Sequence, residues 1–242
     1  MVYPALRRLA SILKYTPLHP QWLVFRREAE NLRYAGREVS GRILDIGSAE
    51  QKPRAYLASQ SEYIALDYYT TATGWYHTRP DVFATAQSLP FPDGCLDGVL
   101  LLDVMEHLPA PEAALAEIFR TLRRGGRCLV LVPFLYPIHD APMDFTRWTQ
   151  HGLRELATRH GYTVLAIEAQ GHALESAALL ANLALSKTLL DALRRGNPLA
   201  LLGLLLPILV PCLNLFGWAM AHVAPRVDFM PFGYRLLLAK PA

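Results

Sequence analysis

Cysteine is scarce in this chain of 242 residues, and what there is does not pair. Cys95, Cys128 and Cys212 are odd in number and form no CxxC. That argues against a disulfide framework and a structural zinc site and fits a reducing cytosol, and no metal is expected. Charge is thin as well: Asp, Glu, Lys and Arg make up 19% of residues against 52% hydrophobic ones. From Gly196 to Pro225 there is none at all, a stretch of 30 residues. No strong basic stripe runs through the rest, which counts against nucleic acid as a partner. Nothing at the N-terminus resembles a signal peptide, because Arg7, Arg8 and Lys14 interrupt its only apolar run, so the expected location is cytoplasmic.

What charge there is sits unevenly. Residues 1–42 hold eight Lys or Arg and three Glu, a modest basic patch that suits an anionic membrane surface or simply a solvated helix face. Within 1–40 two helices are expected. One runs over 4–15 with Leu6, Leu9 and Leu13 on one face, and the other over 22–34 carries Trp22, Leu23, Phe25 and Leu32 and closes at Gly36.

From Gly41 the pattern changes. Ile43, Leu44 and Ile46 form a short apolar run, broken by Asp45, that leads straight into Gly47; about twenty residues on, Tyr63 to Leu66 ends at Asp67. A strand, a turn glycine and a second strand-end acid are what a nucleotide-binding α/β fold requires. Strands are expected at 42–46, 63–67, 82–85, 97–102, 127–133, 162–168 and 233–240. They alternate with helices over 111–124, marked by Pro111, Leu115, Ile118, Phe119 and Leu122, and over 149–161, capped by Thr149. That alternation is the signature of a doubly wound sheet.

Between the sixth and last strands lies a Leu- and Ala-rich insertion. If the last strand joins the same sheet as the first, the chain must leave and return on one side, which argues against a single membrane crossing, and Pro207 and Pro211 favour a bent helix. A helical hairpin is expected that dips into one leaflet or closes over the active site; the alternatives are a soluble hydrophobic subdomain or an oligomer contact through 176–224.

Five motifs then occur in order: Ile43-Leu-Asp-Ile-Gly-Ser48, Ala65-Leu-Asp67, Gln87 to Asp97, Leu102-Asp-Val-Met-Glu-His-Leu-Pro109 and Leu122-Arg-Arg-Gly-Gly126. In this arrangement the chain resembles the class I S-adenosylmethionine-dependent methyltransferases, in the subgroup that modifies small molecules and lipids such as quinones. The resemblance implies a Rossmann-like sheet, mostly parallel with the last strand antiparallel. Its methyltransferase domain would span 41–171 plus 230–242, with N-terminal helices over 1–40 and the hydrophobic insertion over 172–229.

It also implies S-adenosyl-L-methionine as cofactor. Asp45, Gly47, Ser48 and Ala49 would hold its methionine part, and Asp67 its ribose hydroxyls. Tyr68, Ala86 and Gln87 would lie at the adenine, and Leu102 and Asp103 near the methyl group. The family's turn carries three alternate glycines where this chain has Gly47, Ala49 and Gln51, so Gln51 is expected to enter the next helix by a different route. Thr85 stands where the family often has an acid.

His107 is the leading candidate for a general base, and His139 a second. Asp140, Asp144, Arg147 and Trp148 are candidates to line the acceptor pocket, although Asp144 and Arg147 are equally suited to pairing with each other. Neither G-x-G-x-x-G nor Asn-Pro-Pro-Tyr is present, against a nicotinamide enzyme and an amino-purine methylase respectively. The expected activity is methyl transfer to a small, apolar or lipid-like acceptor by in-line displacement. The alternative is a catalytically degenerate fold that serves as a scaffold at a membrane or protein partner.

Overall fold

The computed structural model describes residues 11–225 and 227–242. They fall into two compact units, one of Glu30–Phe134, Ile138–Ala169 and Gly233–Ala242, the other of the described residues up to Ala29, Leu135–Pro137 and Gln170–Phe232.

The larger unit is built on a seven-stranded sheet: β1 (Arg42–Ile46), β2 (Glu62–Asp67), β3 (Val82–Phe83), β4 (Leu96–Leu102), β5 (Leu122–Pro133), β6 (Thr163–Gln170) and β7 (Gly233–Ala239), in the order β3-β2-β1-β4-β5-β7-β6. Strands β1 to β5 run parallel and β7 lies antiparallel against β5. Helices α1 (Glu28–Glu38), α2 (Pro111–Thr121) and α3 (Gln150–Arg159) belong with it.

Alternation along the strands decides which helix covers which face. Leu44, Ile46, Val99, Leu101, Val130 and Val132 pack with Ala114, Leu115 and Ile118 of α2 and Leu153, Leu156 and Ala157 of α3. On the opposite face Ile43, Leu100, Leu129 and Leu237 meet Ala35 and Val39 from α1 and the residue just beyond it.

Several expected boundaries shift. The helix expected over 22–34 is two, Trp22–Phe25 and α1, and the strand expected over 82–85 ends at Phe83. Helix α1 runs past Gly36 to Glu38, because this glycine serves packing and not termination: a Cβ there would lie 2.1 Å from the carbonyl oxygen of Tyr56. The helix at 111 stops at Thr121, and Leu122, expected as its last buried residue, opens β5 and pairs with Leu96. The C-terminal carbonyls of α2 are met by Lys240, whose Nζ donates to Phe119 at 2.7 Å and to Leu122 at 2.8 Å. Thr149 caps α3 as its type predicts, its Oγ1 accepting from Gly152 N at 3.1 Å.

The smaller unit holds α4 (Ala173–Arg194), a 3₁₀ segment (Pro198–Leu205) and α5 (Leu206–Val223). Of the helix expected over 4–15, residues 4–10 lie outside the described residues, and 11–13 are helical. His172 and Glu175 form a reciprocal cap at the start of α4. Glu175 also binds Arg26 at 3.2 Å and Arg27 at 2.8 Å. The two long helices approach closely where Gly217 faces Ala178: a Cβ on Gly217 would stand 2.8 Å from that of Ala178. Beside it the fully buried Asn182 and Asn214 bond to each other at 3.0 Å, and Asn214 Nδ2 donates to the carbonyls of Pro17 and His19.

Both α4 and the span Pro198–Val223 are long and apolar enough to cross a membrane, but only 11% of the latter's most apolar window is buried within the protein. Its exposed face carries Leu201, Leu204, Ile208 and Phe216.

Candidate functional site

Ligands of open α/β sheets sit outside the carboxyl ends of the strands. Here the ends of β1, β2 and β4 frame a cavity of ≈ 520 Å³. Its floor is the turn after β1. Gly47 and Ser48 both donate to the carbonyl of Leu66, at 2.9 and 3.0 Å, which ties the turn to the end of β2. Gly47 has φ +72°, and any Cβ there would lie 2.4 Å from Val104 Cγ2. Ala49 and Gln51 take up positive φ too, at 43° and 56°. The backbone therefore keeps the conformation of an alternate-glycine turn although two of the glycines are gone. Beyond Gln51 the route does differ, into a 3₁₀ turn over Lys52–Ala55.

Asp67 closes the turn. One carboxylate oxygen accepts from Ala49 N at 2.9 Å, and the other from Tyr68 N at 2.7 Å and the Thr71 hydroxyl at 2.6 Å. A carboxylate offers about four acceptor positions, so three internal bonds leave room for a ligand hydroxyl. Ser48 is not among the cavity's lining residues, and its Oγ is buried within the same turn without a partner. Tyr68, Ala86, Gln87, Leu102 and Asp103 all line the cavity. Asp45 does not: it is buried behind the turn, bonded to the Tyr63 hydroxyl, and burial raises its pKa to about 7 against that bond.

The far wall comes from two loops. Met105–His107 makes a single 3₁₀ turn after β4, and the segment at 138–149 is held to it by Phe145 N donating to the carbonyl of Glu106 at 2.9 Å. His107, His139 and Asp140 reach the cavity. Asp144, Arg147 and Trp148 are not among its lining residues. Asp144 makes a two-pronged pair with Arg147 and accepts from His139 N at 2.9 Å, a brace that holds its pKa well below the usual carboxylate range. Trp148 packs onto the main core.

Three contributors escape a sequence pattern. Thr71, Trp75 and Tyr76 project into the cavity from the short helical segment after β2. The aromatic cluster at 68–76 is the only trace of this in the sequence. Burial, with Asp140 nearby, raises the Tyr76 pKa. Glu106 is the other omission. An acid in a polar turn reads as solvated, yet it is buried, and burial, reinforced by the charge of Asp103, raises its pKa to about 9.

Residues 44–130 match the family of the methyltransferase domain. Among curated relatives, the ubiquinone/menaquinone biosynthesis C-methyltransferase UbiE of Rhizobium johnstonii is 41% identical over 66 residues, 25% of this chain and 26% of the relative. That of Rhizobium etli is 39% identical over 113 residues, 44% of this chain and 39% of the relative. The chain thus matches well under half the length of these proteins.

Among solved structures, the 1,6-didemethyltoxoflavin-N1-methyltransferase of Burkholderia thailandensis, with S-adenosylhomocysteine bound, superposes with a TM-score of 0.51 at 16% identity, covering 99% of this chain and 89% of that one. The phosphoethanolamine N-methyltransferase 2 of Haemonchus contortus gives 0.51 at 14% identity, covering 95% and 59%. At such identities the likeness is one of fold.

Proposed function

We propose, from the premise that residues 44–130 are a class I S-adenosylmethionine-dependent methyltransferase domain, that the protein transfers a methyl group to a small, apolar or lipid-like acceptor. The observation that carries this is the turn and acid at the ends of β1 and β2: Gly47, Ala49 and Gln51 in a glycine-type conformation, locked to Asp67 and open to the cavity. S-adenosyl-L-methionine supplies an electrophilic methyl on a sulfonium, so the protein's task is to position the acceptor and exclude water. Asp67 would take the ribose hydroxyls, the Gly47–Ala49 backbone the methionine end, and Ala86 and Gln87 the adenine edge. Leu102, Val104, Leu108 and Trp75 give the cavity an apolar wall suited to a quinone or acyl-bearing ring. The matched UbiE relatives, named for ubiquinone and menaquinone biosynthesis, support that class of acceptor. His107 and His139, which line the cavity together with Asp140, would activate it.

Titration of S-adenosylmethionine by calorimetry tests the cofactor assignment. The wild type should bind one equivalent, and Asp67→Asn should bind at least tenfold more weakly, since it replaces an oxygen acceptor with a donor. Absence of heat with the wild type, or equal affinities, overturns the assignment. We also propose that the exposed face of Pro198–Val223 attaches the protein to a lipid surface, at the cytoplasmic side of a membrane. Its support is the pairing of a long apolar span with almost no internal burial.

A further inference from the structure

Glu106 is the buried polar side chain to which methyl transfer gives no role. Its side chain is 1% exposed, and neither carboxylate oxygen has a hydrogen-bond partner. Such a group costs free energy unless something satisfies it. Two imidazole nitrogens face it: His107 Nε2 at 3.7 Å and His139 Nε2 at 3.8 Å, both measured to the same Oε1. The two rings stand edge to face with centroids 4.8 Å apart, and one ligand atom from each of the three residues falls within 4.8 Å of the others.

On each ring the other nitrogen is already committed. His107 Nδ1 meets the carbonyl oxygen of Met143 at 2.5 Å. A carbonyl only accepts, so Nδ1 carries the proton and Nε2 presents a bare lone pair. His139 Nδ1 stands 3.3 Å from Asp144 Oδ2, with Arg147 Nη2 on the same side at 3.5 Å. These two groups hold the ring so that Nε2 turns toward Glu106. Imidazoles oriented through one nitrogen by a carbonyl or carboxylate, with the other turned toward an acid, are arranged as metal-ligating histidines are.

We propose that Glu106, His107 and His139 hold one first-row divalent cation at the edge of the cavity. Bonds of about 2.0–2.2 Å place neighbouring ligand atoms roughly 3–3.5 Å apart, so the two separations from Glu106, 3.7 and 3.8 Å, need close by only a few tenths of an ångström, while the imidazoles, within 4.8 Å of each other, draw together by more through side-chain rotation. Two nitrogens and one carboxylate suit zinc, manganese, iron(II) or cobalt better than the all-oxygen sites of magnesium and calcium. Both histidines line the cavity, so the remaining coordination positions open toward it, where an acceptor oxygen would bind and have its pKa lowered. The cation would then replace direct proton uptake by the imidazoles. That use rests on the methyltransferase reading, but cation binding itself does not. Sequence spacing hides the site because its ligands come from two loops, a pair at 106 and 107 and a single residue at 139.

The test is titration of Zn²⁺, and separately Co²⁺, into the full-length protein stripped with chelator. One equivalent of Zn²⁺ should bind, and Co²⁺ should show ligand-field absorption without a thiolate charge-transfer band. Glu106→Gln and His139→Asn should each weaken Zn²⁺ binding at least tenfold while the far-ultraviolet circular dichroism of the metal-free protein stays unchanged. Sub-stoichiometric binding, or wild-type affinity in both variants, overturns the proposal. So does binding that survives both and disappears in Cys212→Ser, which would assign it to an exposed thiol. S-adenosylmethionine titrated into the same samples keeps the two claims apart: cofactor binding without zinc binding sinks the cation site alone.

Discussion

Ala49 and Gln51 sit at φ 43° and 56°, a region that costs a residue with a Cβ about 1–2 kcal/mol and costs glycine almost nothing. Both nonetheless stay there, because the ties of Gly47 and Ser48 to Leu66 and of Ala49 to Asp67 dictate the path. Gln51→Gly should therefore stabilise the protein by ~1 kcal/mol, a rise in melting temperature of about 2–4 °C for a chain of this size. Gly47→Ala should act in the opposite sense by roughly 2 kcal/mol or more, since it adds both the strained φ and a collision with Val104. Thermal unfolding of the two variants beside the wild type checks both signs. At this scale the sequence was half legible. Gly47 and Asp67 announced themselves as a glycine after one strand and an acid ending another. The turn at Ala49 and Gln51 did not, because the tertiary bonds that impose its backbone are invisible in residue type. Glu106 stayed hidden for a similar reason, as its burial depends on the 138–149 segment folding over it.

Strands and helices were the most readable level. Apolar runs of four to seven residues bounded by glycine or acid give β1, β2 and β4 almost to the residue. The periodicity of 111–124 gave the helix but missed its end, since Leu122 satisfies a helical stripe and a buried strand position equally well. What stops the helix is a partner over a hundred residues away: Lys240 takes the carbonyls of Phe119 and Leu122. Lys240→Met keeps the aliphatic stem and removes these charge-assisted bonds, leaving carbonyls at the end of α2 without their donor. A loss of about 1.5–3 kcal/mol is expected, read as a lower urea midpoint with an unchanged slope. In the smaller unit, composition alone could not separate a lid from an anchor or an oligomer contact. The polar clasp of Asn182 and Asn214 is recognisable only once the two helices are seen side by side.

For the molecule as a whole, the proposed attachment through the exposed apolar face of Pro198–Val223 makes a prediction about where the protein resides. Flotation with phosphatidylglycerol-containing vesicles should carry the wild type to the lipid fraction. Leu204→Asp combined with Ile208→Asp, both at exposed positions, should lower the partition about tenfold or more without unfolding the protein. Unchanged flotation would leave that face as a contact with protein and not lipid. The order of strands carries a further consequence. β7 lies between β5 and the edge strand β6, so β5 ends in an open edge and β6 has no strand beside it until Gly233–Ala239 has been synthesised. The ribosome delivers the 30 uncharged residues of 196–225 just before the strand that joins β5 to β6. The nascent chain therefore carries an open strand edge and an uncovered apolar span at the same moment, the combination most prone to aggregate. If that span engages a bilayer as it emerges, insertion precedes completion of the sheet, and the membrane acts on this protein as a folding partner before it acts as an address.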